Sequence, residues 1–102
     1  MLKPNSGRVL VKPLFKEATL NSQDTIESQI VKAGEDLFVG RIVEPGDSKF
    51  KVGQVVYYSE YSAAMVFDME KFVAGEQTLE EALKDKNIFV VVACDDVMAF
   101  QE

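Results

Sequence analysis

Six short runs rich in β-branched and aromatic residues are spaced along the chain, each closed by glycine, proline or acidic turn residues, and they limit its fold more than any other feature. "RVLVK" from Arg8 ends at Pro13, and "DLFVGRIV" closes in Pro45-Gly46. "QVVYY" follows a turn at Gly53, "AAMVFD" comes next, and "NIFVVVAC" and "VMAF" are separated by Asp95-Asp96. Short strands at this spacing predict an all-β barrel or sandwich. Gly40, inside the second run, predicts a bulge or a close backbone contact. At 102 residues the chain has room for one modest core, so one domain spanning residues 1–102 is expected.

Two segments depart from this pattern. Residues 18–36, "ATLNSQDTIESQIVKAGED", follow neither strand nor helix periodicity and carry one apolar pair, Ile30-Val31. Unstructured connections this long are uncommon in compact domains and tend to be functional or disordered. In the second segment, "TLEEALKDK", Thr78 stands three residues before Glu81 as in a capping box. Leu79, Ala82 and Leu83 share one helical face there, and Lys84 and Lys86 sit at the end the macrodipole favours. A two-turn helix is expected inside an insertion at about 76–86, its apolar stripe lying on the sheet.

Charge and composition narrow the functions. The chain has no histidine, which removes Ser-His and Cys-His nucleophile pairs and the commonest zinc ligand, so no catalytic residue and no enzyme activity are expected. A net charge of −6 argues against nucleic acid, whose binders need a basic patch. The apolar run from Ile88 to Cys94 is far too short to span a bilayer, and "MLKPNSGR" lacks a signal-peptide h-region. The expectation is a cytoplasmic protein with no membrane partner. Cys94, at the end of an apolar run, reads as a core residue rather than a reactive thiol. Asp95-Asp96 reads as a turn, with no wider ligand pattern for a metal. Tyr57, Tyr58 and Tyr61 read as core and interface aromatics rather than a base-stacking platform, which would need a basic groove.

Taken in order, the motifs resemble those of the GroES family of small co-chaperonins. "RVLVKP" is similar to that family's first core strand, and "VGRIV" to the strand following its mobile loop. "VGQVVYYSEYSAAMVFD" matches its pattern of Val-Gly, a hydrophobic pair, Tyr-Ser and a second Tyr, and "FVVVACDDVMAFQE" its C-terminal strands. The resemblance covers nearly the full chain. Three features differ: the roof hairpin after Pro45-Gly46 is reduced to "DSK", the turn after Asp68 is enlarged, and Gln29-Ile30-Val31-Lys32 stands where Gly-Ile-Val/Met-Leu is usual.

The resemblance implies a GroES-like β-barrel with a mobile loop at about 17–36 and no cofactor. It implies a homo-heptameric ring that caps a GroEL-type chaperonin and encloses an unfolded client protein. Gln29, Ile30, Val31 and Lys32 would contact the chaperonin. Leu2 and Lys3 of one subunit would meet Val97, Met98, Ala99 and Phe100 of the next, with Lys3, Arg8 and Lys12 available to pair with a neighbour's acids. The alternative readings are a ring-forming structural or shell tile without chaperonin activity, and a nucleic-acid-binding barrel of the OB type, which the charge disfavours.

Overall fold

The computed structural model describes residues 2–20, 25–84 and 88–102. The strands are β1 (Arg8–Pro13), β2 (Phe15–Leu20), β3 (Thr25–Ile30), β4 (Lys32–Gly34), β5 (Leu37–Glu44), β6 (Val55–Ser59), β7 (Ala63–Phe67), β8 (Ile88–Ala93) and β9 (Val97–Phe100). Two short helices, α1 (Glu70–Val73) and α2 (Leu79–Lys84), lie between β7 and β8. An antiparallel sheet of seven strands runs in the order β7-β8-β1-β5-β6-β9, with β4 added beside β5. The six runs read as strands from the sequence are all strands of this sheet. The all-β class holds, and among the described residues no helix is long and apolar enough to cross a membrane.

Period-two alternation decides which residues enter the core. Val9 and Val11 of β1, Val56 and Tyr58 of β6, and Val90 and Val92 of β8 point to one side, where Ile42 and Phe50 join them in a single buried cluster. Ala63 at the start of β7 and Val97 at the start of β9 both pack on that cluster, although these strands form the two ends of the sheet order. The sheet therefore curls around its core. Fully burying each valine or isoleucine contributes about 1.5–3 kcal/mol, and this cluster is the main source of stability.

Gly40 shows why a strand interior tolerates a glycine here. A Cβ at that position would lie 2.5 Å from Val11 Cγ1 and 2.7 Å from the Lys12 carbonyl oxygen, so β1 and β5 approach closely only because none is present. The turn after β5 is held by the Ser48 N–H donating to Pro45 O at 3.0 Å. Asp47 in the same turn accepts from the Ser6 hydroxyl at 2.7 Å and the Gly7 N–H at 3.2 Å. The Ser6 bond, then the Gly7 bond, hold its carboxyl below the usual carboxylate range.

The insertion differs in part from expectation. The N-cap half of the box is present, the Glu81 N–H donating to Thr78 Oγ1 at 3.1 Å, while the Glu81 carboxylate accepts from the Thr78 hydroxyl at 3.0 Å. A first helix, α1, precedes it; its N-cap, Met69, makes no side-chain bond, and Asp68 one residue earlier accepts from the Glu70 N–H at 3.0 Å. Ala82, 1% exposed, anchors α2, whereas Leu79 is 48% exposed and does not serve as the expected anchor. The side chain of Leu83, also expected as an anchor, lies outside the described residues, as do residues 85–87.

Candidate functional site

The expected loop region contains regular structure. Leaving β1 at Pro13, the chain turns out of the sheet, and the Leu14 N–H still donates to Val39 O at 3.1 Å. β2 and β3 then pair only with each other, from Phe15↔Ile30 to Leu20↔Thr25, as a separate two-stranded sheet. The Val31 N–H closes the root by donating to Leu14 O at 2.8 Å, and β4 re-enters beside β5, with Lys32 opposite Phe38. The unit is thus an arm, inserted where β1 gives way to β4 along one side of β5. Residues 21–24, the polar part of the expected loop, lie outside the described residues.

The four expected chaperonin-contact residues fall at the root of this arm. Gln29 pairs with Lys16 and Ile30 with Phe15, the first rungs of the ladder. Ile30 and Val31 are half-buried. Lys32 Nζ lies 3.7 Å from Glu60 Oε2 and 5.8 Å from the centre of the Phe38 ring, so it is engaged with the sheet. In this conformation the apolar pair serves as packing at the root. Binding a partner through it requires the root to open.

The expected subunit-interface residues occupy two places. β9 pairs with β6 on one side only, and its outer edge is unpaired among the described residues. Val97 packs on the core, while Met98 is 67% exposed, Ala99 is exposed and Phe100 is 39% exposed. Leu2 lies at the opposite end of the sheet order, against Phe67, Met69 and Val73. Lys3 is exposed. One chain therefore gathers 97–100 on β9, while Leu2 stands by the end of β7, at the other end of the sheet order.

Of the three basic residues considered for contacts with a neighbour, Lys12 is used within the chain. Its ammonium donates to Ile88 O at 3.1 Å and sits 4.8 Å from the Phe89 ring centre, and burial lowers its pKa from the ordinary lysine value. The tyrosines are split among three environments. Tyr58 is fully buried, edge-on to Phe38 at 6.0 Å, and its hydroxyl has no hydrogen-bond partner among the described residues. Burial pushes that phenol up to about 12. The Tyr57 hydroxyl accepts from Gln101 Nε2 at 2.8 Å. Tyr61 is 79% exposed, and the nearby charges of Asp36, then Glu60, raise its pKa above the ordinary phenol value. So divided, they form no common stacking surface.

Cys94 is half-buried against the core, and Asp95 and Asp96 belong to a single 3₁₀ turn joining β8 to β9. No group of three or more metal-ligating side chains occurs among the described residues. The arm ladder was missed in the sequence because a two-stranded ribbon outside the sheet has no core-facing side to impose alternation. A usable signal was present in Asn21-Ser22-Gln23-Asp24, a turn-rich cluster flanked by Thr19 and by Thr25-Ile26. Comparison with known proteins finds no matching family model and no match among curated proteins.

Proposed function

We propose that this chain is the subunit of a ring-forming co-chaperonin, a GroES-like barrel that caps a GroEL-type chaperonin and so assists ATP-dependent folding of an enclosed client. It carries no catalytic group of its own in this reading, and nucleotide hydrolysis belongs to the partner. The observation that supports it is the arm: β2 and β3 stand outside a sheet that is otherwise a single curled unit, at the position the resemblance assigns to a chaperonin-binding loop.

An isolated two-stranded hairpin is marginal in water, so the arm can exchange its own pairing for contacts with a partner at little cost. Ile30 and Val31 supply the favourable term, about 1.5–3 kcal/mol each when fully buried. Ordering the backbone opposes this by about 1–2 kcal/mol per residue, which keeps a single arm weak. Several arms on one ring engage together, and their effective concentration converts weak contacts into a stable cap. The free edge of β9 and the Leu2 segment at the opposite end of the sheet suit head-to-tail pairing, which closes a ring and removes an exposed edge. A heptamer is the expected size.

The test is co-sedimentation with a GroEL-type chaperonin, with and without ATP, using the parent and Ile30→Asp. Nucleotide-dependent capping by the parent and loss of capping by a still-assembled Ile30→Asp ring is the expected result, since a buried unpaired carboxylate is strongly disfavoured. Equal capping by both proteins would remove the arm from the mechanism. A ring that never binds a chaperonin would instead favour the structural-tile reading, which the same free edge supports.

A further inference from the structure

Where β6 begins, Arg41, Lys49 and Lys51 line an open cleft of about 650 Å3 together with Val52, Gln101 and Glu102. The chain as a whole is acidic, with 17 Asp and Glu against 11 Lys and Arg. Yet none of these three cations has an ion-pair partner among the described residues. Arg41 uses Nη1 to donate to Gly53 O at 2.9 Å, which leaves the rest of its guanidinium available. Lys49 Nζ rests 5.6 Å and 5.0 Å from the ring centres of Phe50 and Phe100. Lys51 has only its backbone tied, its N–H donating to Gln54 Oε1 at 3.0 Å.

The walls of the cleft are fixed to the sheet on both sides. The Gly53 N–H donates to Ile42 O at 2.8 Å, and the Ile42 N–H to Gln54 O at 2.9 Å. Gln54 Nε2 then donates to Gln101 O at 3.1 Å, and the Gln101 N–H to Val55 O at 2.9 Å. Like charges held on such a frame repel one another, and an anion from outside relieves that repulsion without any ordering of the backbone. Beside the cations, Val52 is 72% exposed, so the cleft is apolar as well as basic. A bare inorganic polyanion would leave that apolar area uncovered.

We propose that this cleft binds an acidic peptide segment of a partner protein, with carboxylates on Arg41 and Lys51 and an apolar side chain on Val52. Glu102 is the carboxylate side chain already in the cleft, and it opposes the ligand. All these residues belong to one chain, so the site does not depend on ring formation or on a chaperonin.

The experiment uses the full chain and a fluorescein-labelled synthetic peptide of alternating Glu and Leu, followed by anisotropy at low and high salt, with tripolyphosphate as a second probe. Saturable peptide binding that weakens with salt is expected, reduced about tenfold by Lys51→Glu and strengthened by Glu102→Gln. Backbone amide shifts should be confined to residues 49–54 and 101. Absence of saturable binding, or parent affinity in Lys51→Glu, overturns the proposal. Tighter binding of tripolyphosphate than of the peptide also overturns it, because the cleft would then select phosphate charge rather than an acidic peptide. Sedimentation of the same samples reports assembly separately, so failure of the ring reading is distinguishable from failure of this one.

Discussion

Replacing Gly40 by alanine tests the contact on which both the core and the root of the arm depend. The added Cβ would lie 2.5 Å from Val11 Cγ1, 2.7 Å from Lys12 O and 3.2 Å from the Lys12 carbonyl carbon. Relaxed carbon contacts are about 3.5–4.0 Å, so Val11 or the strand itself must shift by about 1 Å. Val11 is 0% exposed and has no space to retreat into, and the other two atoms are backbone of β1. Overpacking of this kind costs about 1–3 kcal/mol, and contact with backbone places the change at the upper end. At about 4–8 °C per kcal/mol for a domain near this size, a loss of about 3 kcal/mol lowers Tm by about 12–24 °C.

Because Pro13 pairs with Gly40 and Leu14 with Val39, the same shift should also loosen the point where the arm leaves the sheet. Gly53→Ala is the control: its φ of 87° strains any side chain, but a Cβ there meets nothing within 4 Å. Left-handed strain alone costs about 1–2 kcal/mol. Urea titration by circular dichroism measures both variants, and hydrogen exchange at Leu14 and Val31 reads the root. If Gly40→Ala loses less stability than Gly53→Ala, the close approach of β1 and β5 is not a real constraint.

Further outcomes follow from the same contacts. Tyr58→Phe removes a buried hydroxyl with no partner among the described residues and should leave stability at neutral pH unchanged or raise it by up to about 1–3 kcal/mol in urea melts. The Tyr58 phenol titrates near 12 in the folded chain against 10 in an ordinary one, so its contribution is complete below pH 10 and is lost as pH rises towards 12. The parent should therefore lose stability over that interval more steeply than Tyr58→Phe. Thr78→Ala removes the N-cap of α2 and should cost about 0.5–2 kcal/mol locally, seen as faster amide exchange over 79–84. Lys32→Leu breaks an ion pair whose lysine is 56% exposed, so stability should move by less than about 1 kcal/mol; under the proposed co-chaperonin function the same change should slow dissociation from a GroEL-type chaperonin. Amides of β2 and β3 should exchange faster than those of β5, which is paired on both sides.

The strands that bury one face were legible in the sequence because burial imposes alternation: Val9, Val11, Val56, Tyr58, Val90 and Val92 announce both their strands and their inward side. Thr78 with Glu81 as a cap was likewise a local signal of a local cause, whereas Gly40 was a local signal of a contact with β1, distant in sequence. The break in periodicity over residues 18–36 marked the region of the arm but not its form. Its ladder and the packing of Ile30-Val31 at its root depend on Leu14 and Val39, which lie beyond the reach of any periodicity within residues 18–36. That Ala82 rather than Leu79 is the buried residue of α2 was decided in the tertiary structure, since a helical wheel puts both on the same apolar face. The cleft of Arg41, Lys49 and Lys51 is tertiary in the same sense. Chain folding brings a strand, a turn and the end of β9 to one rim, so charges spread along an acidic sequence become a basic patch only in three dimensions.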